Sequence, residues 1–219
     1  MIFEYLDRIV FAGDSVTDMG SSQPVGEGLG DNMGFGYPRI VENFLNAWYP
    51  ELRVRCTNSG ISGNTSGDLI NRFQRDVIDL NPQWVSINIG MNDVWRQFDS
   101  PALTDYAVNP ELYEENVEKM IIESKKVAKG VIIMTPHYME PNRADLMRAR
   151  MDQYGDICRK LAEKHSCVFV DSQKALDDYF KYHHSSFISW DRIHPNQIGA
   201  TVIARAFVEA CGFDFSRRI

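Results

Sequence analysis

Short apolar runs alternating with segments of helical period constrain this chain more than any other feature. Ile9-Val10-Phe11 is β-branched and aromatic, and Gly13 bounds it. That pattern reads as a strand buried on both faces of a parallel sheet. Residues 52–57 alternate apolar and polar side chains and read as a second strand. Residues 84–89, 131–134 and 167–170 supply three more. Apolar spacing predicts helices over 37–49, 66–80, 111–129, 144–165, 176–184 and 196–210. Pro50 ends the first helix, and Pro195 suits the first position of the last. Strand after helix at this spacing implies a parallel sheet covered on both faces. With right-handed crossovers, the expected class is α/β: a three-layer α/β/α sandwich with a flavodoxin-like, five-stranded parallel sheet. No linker, repeat or composition shift divides the 219 residues, so one domain over 1–219 is expected.

Composition narrows the function. A net charge of −7 argues against a nucleic-acid or anionic-membrane partner. No apolar run approaches the ~18–20 residues that span a bilayer. The first seven residues carry early acids and no long apolar core, so no secretory signal is read there. Cys56, Cys158, Cys167 and Cys211 are widely spaced and read as free thiols, with a cytoplasmic location expected. His183-His184 lacks an evident third ligand, and no metal or cofactor is expected. The glycine-rich stretch 20–36 has no phosphate-loop spacing and reads as a flexible loop, with Met19 and Met33 packing inside it. Residues 58–65 read as a tight loop and 94–109 as irregular. The aromatic-rich segments 94–109 and 179–190 are candidate interfaces of a homo-oligomer.

Three strand ends carry polar signatures: Ser15 after the first, Gly63 after the second, Asn92 after the third. In a parallel sheet these ends fall along one edge, where open α/β sheets place ligands. Near the C-terminus, Asp191 precedes His194 by three residues. A loop of that spacing can return the carboxylate to the ring, orient it and stabilise its charge. Asp14 and Asp93 lie beside these residues and read as capping or loop acceptors.

Gly13-Asp14-Ser15, Gly63, Gly90-x-Asn92-Asp93 and Asp191-x-x-His194, in that order, resemble the four blocks of the SGNH hydrolases, or GDSL esterases. The stretches 60–65, 92–97 and 134–136 resemble the bacterial acetyl-xylooligosaccharide esterases of that superfamily. The resemblance implies a serine esterase with Ser15 as nucleophile, His194 as its base and Asp191 fixing the imidazole tautomer. It also implies an oxyanion hole built from the Ser15 and Gly63 backbone N–H groups and the Asn92 amide. Each residue type fits: glycine lets backbone approach a substrate, and asparagine offers a neutral NH₂ where a carboxylate could not. The implied partner is a small acylated substrate, an acetylated xylo-oligosaccharide or related carbohydrate. Trp95, Tyr138 and Trp190 flank the blocks and are candidate substrate contacts. A broad-specificity short-chain esterase, thioesterase or lysophospholipase on the same fold is the alternative. The Gly-x-Ser-x-Gly elbow of the other large esterase fold is absent. A non-catalytic nucleotide-binding module is disfavoured by the lack of a phosphate motif.

Overall fold

The computed structural model describes residues 1–28, 30–99 and 107–218. Its elements, in chain order, are β1 (Arg8–Gly13), α1 (Ser15–Asp18), β2 (Gly26–Glu27), α2 (Tyr37–Trp48), β3 (Arg55–Gly60), α3 (Ser66–Asp76) and β4 (Trp84–Asn88). There follow α4 (Met91–Asp99), α5 (Pro110–Lys125), β5 (Gly130–Met134), α6 (Leu146–Lys164), β6 (Val168–Val170), α7 (Ser172–Tyr179) and α8 (Gln197–Ala210). The strands form one sheet of order β2-β3-β1-β4-β5-β6. The expected parallel five are present, and the class is the expected α/β sandwich.

The sixth strand departs from the sequence reading. β2 adds antiparallel to the edge of β3, with Gly26 opposite Asn58. Two residues, one a glycine, are too few to show a period. The stretch around it is also more tied down than a flexible loop: Ser22 N–H donates to Asn32 O at 2.9 Å and Phe35 N–H to Met19 O at 3.0 Å. Residue 29 and residues 100–106 lie outside the described residues.

Several boundaries shift for identifiable reasons. β3 begins three residues later than expected, because Pro50–Leu52 forms a 3₁₀ turn and Arg53 is left-handed at φ 49°. The strand then continues through Asn58-Ser59-Gly60, which look like loop residues in sequence. Their buried polar atoms find partners: the Asn58 amide donates to Thr17 O at 2.7 Å and Met33 O at 3.0 Å. α4 spans Met91–Asp99, so residues 94–99 are helical rather than irregular. The last helix starts at Gln197, where the Asn196 side chain accepts from Ile198 and Gly199 N–H, so Pro195 precedes the cap instead of following it. Proline does take a first helical position at Pro110 in α5. α7 starts four residues ahead of its expected place and ends at Tyr179.

Both faces of the sheet are covered. On one, α2 and α8 pack together, and Phe11 of β1 meets Tyr37 and Phe207 at ring separations of 5.8 and 5.4 Å. On the other lie α3, α5 and α6, with Tyr113 against Tyr154 at 4.6 Å. Ile9, Val10 and Phe11 are fully buried, as a central parallel strand requires.

Gly13 ends the central strand under tight contact. A Cβ there would lie 2.2 Å from Thr17 Oγ1 and 2.5 Å from the Asn88 carbonyl oxygen. The second of these atoms is backbone and cannot rotate away, so a methyl group must spread β1 from β4. Gly13→Ala is therefore expected to cost about 2–3 kcal/mol of stability, the upper part of the range for overpacking. Gly63→Ala, with nothing within 4 Å of its added Cβ, should lose only about 1 kcal/mol, the cost of a left-handed alanine at φ 85°. Urea denaturation of both variants checks the order; equal losses would contradict the packing argument.

Candidate active site

The site grows from the sheet edge. β1 pairs on both sides, and its last residue, Gly13, sits opposite Gly60 of β3 and Asn88 of β4. All three strands run in one direction, so the segments that follow them emerge together. Ser15 follows Gly13 by two residues, Gly63 follows Gly60 by three, and Asn92 follows Asn88 by four. Ser15 opens the single-turn helix α1, whose N-cap is Asp14, with Oδ1 accepting from Val16 N–H at 3.0 Å.

The histidine loop closes over this edge. His194 Nε2 stands 2.8 Å from Ser15 Oγ. On the far side of the ring, Nδ1 stands 2.5 Å from Asp191 Oδ2. A proton on Nδ1 donating to that carboxylate leaves Nε2 as the acceptor for the serine hydroxyl. The second Asp191 oxygen accepts from Ile193 N–H (2.9 Å), His194 N–H (2.8 Å) and Ser189 Oγ (3.2 Å). Burial pushes the Asp191 carboxyl up. The bonds from the His194 ring and from the His194 and Ile193 N–H groups outweigh it, leaving the group below its ordinary range and ionised. Arg192 turns the loop at φ 66° and accepts from Met139 N–H through its carbonyl. The buried His137 ring places Nε2 3.2 Å from Ile193 O, and burial holds it down at about 4, so it stays neutral.

Gly63 sits in the turn between β3 and α3 with open space on its Cβ side. Asn92 is 2% exposed at the start of α4. Its Nδ2 donates to Asn64 O at 3.0 Å, and its Oδ1 accepts from Arg96 at 3.2 Å. Among the described residues its amide makes that one donor bond, which leaves a second N–H for another acceptor.

The aromatic candidates separate. The Trp95 ring meets the His194 ring edge-on, with centroids 6.0 Å apart. Trp190 is 87% exposed and, with Met19, Phe35, His194, Pro195 and Gln197, lines an open cavity of about 460 Å³. Tyr138 is half-buried, does not line that cavity, and is tied through its N–H to Gln173 Oε1 at 2.7 Å. Met33 is core, as expected, whereas Met19 faces the cavity. His183 is stacked between Tyr179 and Phe187. A larger cavity of about 610 Å³ between α6 and α7 shares no lining residue with the first. Its charges neutralise one another: Arg148 pairs with Asp177 at 2.7 Å and Asp152 at 2.8 Å, and Arg159 with Asp171 at 2.6 Å. Size therefore does not mark the reactive cleft; the serine–histidine contact does.

Two bracing residues escape a sequence reading. Arg72 of α3 donates to Asn64 Oδ1 (2.7 Å), Ser59 Oγ (3.1 Å) and Gly13 O (3.0 Å), tying β1 to the β3–α3 turn. Its long-range partners leave no trace in periodicity. Asp18 accepts from Ser21 N–H and Oγ, Gln23 Nε2 and Ser62 Oγ, the last at 2.6 Å. The local half of that network, an aspartate three residues before a serine, is a readable turn signal. Asp93 does act as an acceptor, taking Ser66 N–H at 2.9 Å and Ser66 Oγ at 2.5 Å.

The sequence matches the GDSL-like lipase/acylhydrolase family over residues 11–202. It is 44% identical over 211 residues to an acetylxylan esterase of Geobacillus stearothermophilus, covering 96% of each chain. It is 27% identical over 176 residues to an arylesterase of Vibrio mimicus, covering 76% of this chain and 78% of that one. The crystal structure of Axe2, an acetylxylan esterase of Geobacillus stearothermophilus, matches with a TM-score of 0.97 at 43% identity, over 100% of this chain and 99% of that chain. LAE5, an α/β hydrolase from the metagenome of Lake Arreo, Spain, matches with a TM-score of 0.94 at 47% identity, over 97% and 98%.

Asp14 generates a pH prediction. Burial lifts its carboxyl from 3.8 to about 8, the Val16 N–H bond lowers it, and the Asp93 charge raises it further. A group that keeps its proton when folded but releases it when unfolded favours the fold at low pH. Its contribution is complete below about pH 4 and is lost as pH rises toward 8. Asp14→Asn keeps an acceptor for Val16 and removes the titration. Between pH 5 and 7 the stability of this variant should fall less steeply than that of the parent, by up to about 1.4 kcal/mol per pH unit. Urea titrations at several pH values measure both slopes, and parallel curves would show that Asp14 is ionised in the fold. His137, held down at about 4, acts with the opposite sign but equally in both proteins.

Proposed function

The chain belongs to the GDSL-like lipase/acylhydrolase family, and we propose on that footing that Ser15, His194 and Asp191 hydrolyse acetyl esters of xylo-oligosaccharides. It is a carboxylic ester hydrolase. The observation that carries the residue assignment is the relay Ser15 Oγ–His194 Nε2–Nδ1–Asp191 Oδ2, at 2.8 and 2.5 Å.

The chemistry follows from that line of atoms. Ser15 Oγ attacks the ester carbonyl as His194 Nε2 takes its proton. The imidazolium so formed lies against ionised Asp191, which stabilises the charge without accepting the proton. Negative charge moves to the carbonyl oxygen, where the N–H groups of Ser15 and Gly63 and the Asn92 amide receive it. Collapse of the tetrahedral intermediate expels the sugar alkoxide, which takes the proton back from His194. Water, activated by the same imidazole, then releases acetate from Ser15.

Likeness to acetylxylan esterases at 43–44% identity over nearly the whole chain supports the acetyl-sugar reading. The open cavity beside His194 agrees with it. The exposed Trp190 indole offers a flat apolar face of the kind a pyranose ring stacks on. The likeness to an arylesterase favours a second reading, a short-chain esterase of broad alcohol specificity.

Ser15→Ala should leave a folded protein whose turnover falls by about 10⁴-fold or more. A fluorophosphonate probe should label the parent and not the variant. Acetyl esters should turn over far faster than octanoyl esters, and acetylated xylo-oligosaccharides should be good substrates. Near-normal turnover in Ser15→Ala would end the serine assignment. Equal rates on aryl acetates and acetylated sugars would favour the broader esterase.

A further inference from the structure

Resting on the esterase reading above, we infer that Arg96 is a positioning residue that sets which end of the Asn92 amide faces the developing oxyanion. An asparagine amide is nearly symmetric in shape but opposite in polarity at its two ends, so a flip of the terminal group exchanges a donor for an acceptor. An oxyanion hole functions with the NH₂ end presented and is destroyed by the oxygen end. Something must therefore make the two orientations unequal.

The surroundings of Asn92 do this from both sides. Arg96 lies one turn further along α4, four residues on, and its guanidinium donates to Asn92 Oδ1 at 3.2 Å. A guanidinium has five donors and no acceptor, so only the oxygen of the amide is tolerated there. At the other end, Nδ2 donates to the Asn64 carbonyl at 3.0 Å. That bond uses one of the two N–H groups, and the second remains for the substrate oxygen. A flipped amide would set Oδ1 against the Asn64 carbonyl and NH₂ against Arg96, losing both bonds and creating two repulsions. The Asn64 carbonyl alone prefers the same orientation, but Arg96 adds a charged donor. It also draws electron density toward Oδ1, which makes the remaining N–H a better donor.

Arg96 is itself held. Its other terminal nitrogen pairs with Asp99 one turn further on, and its Cζ lies 4.7 Å from the centre of the Trp95 ring. Trp95 in turn meets the edge of the His194 ring. The order along α4, Asn92, Trp95, Arg96, Asp99, thus forms a short chain ending at the amide. Arg96 reaches the site through its bond to Asn92 Oδ1, so a positioning role predicts that its effect on rate passes through Asn92.

The test is a double-mutant cycle. Arg96→Met keeps the aliphatic stem and removes every donor; Asn92→Ala removes the amide; the third variant carries both. Thermal unfolding and fluorophosphonate labelling confirm that each is folded with a reactive Ser15. On an aryl acetate, Arg96→Met should lower kcat by about 10-fold or more with KM nearly unchanged, because the affected bond strengthens only in the transition state. In the Asn92→Ala background the same substitution should change kcat by less than about 2-fold. A full additional loss in the double variant, or a change confined to KM, would refute the positioning role while leaving the esterase reading intact. Absence of acetyl-ester turnover in the parent protein would remove both.

Discussion

The site depends on one arrangement: β1 is hydrogen-bonded to a parallel strand on each side. Parallel neighbours share a direction, so the segments leaving β1, β3 and β4 must come off one edge of the sheet. The register then fixes how far along each segment the candidate residue can stand. Gly13 faces Gly60 and Asn88, and Ser15, Gly63 and Asn92 follow within four residues of those positions. A slip of one residue in either neighbour would turn every side chain of that strand to the opposite face, so burial of the core holds the register of the site. His194 alone arrives from elsewhere in the chain, on the loop before α8. It accordingly needs its own fastening, which the three donors on Asp191 Oδ1 and the Met139–Arg192 backbone bond supply.

Much of this was legible in the sequence because the core of a parallel sheet has a strong local signature. Ile9-Val10-Phe11 and Val131-Ile132-Ile133 can hardly be anything but buried strands, and both are. The candidate positions were legible for a related reason. A serine, a glycine and an asparagine just beyond three such strands are conspicuous against apolar runs. An aspartate three residues before a histidine carries its own geometry, and the observed Nδ1–Oδ2 contact uses that spacing.

The sequence was silent where a residue's conformation is decided by a distant partner. Asn58-Ser59-Gly60 looked like a loop because polar side chains are costly in a buried strand. They are affordable there only because Thr17, Met33 and Arg72 supply partners from 13 or more residues away. The two-residue β2 is a strand only by virtue of β3 beside it. Residues 94–99 read as irregular because the packing of α4 on α6, which stabilises the helix, leaves no local signature.

The three aspartates at the site show why residue type alone does not settle chemistry. Asp14, Asp93 and Asp191 all lose water, and burial pushes each upward. What differs is the number and direction of donors that replace the water. Asp14 receives the Val16 N–H, and its Oδ2 has no partner among the described residues; it rises to about 8. Asp93 receives the Ser66 N–H and hydroxyl and rises only to about 6. Asp191 takes two backbone N–H groups, a hydroxyl and the imidazole, keeps some exposure, and ends below its ordinary range. Asp191 is therefore ionised well below neutral pH, and of the three it is the one that lies against the ring that must become positive. The neutral Asp14 is equally fitting in its place. An ionised carboxylate one residue from Ser15 would oppose the charge that develops on the substrate oxygen, and desolvation removes that opposition by keeping the proton on. The same side chain thus supplies charge on one side of the nucleophile and withholds it on the other, and the difference lies in the hydrogen-bond donors the loops provide.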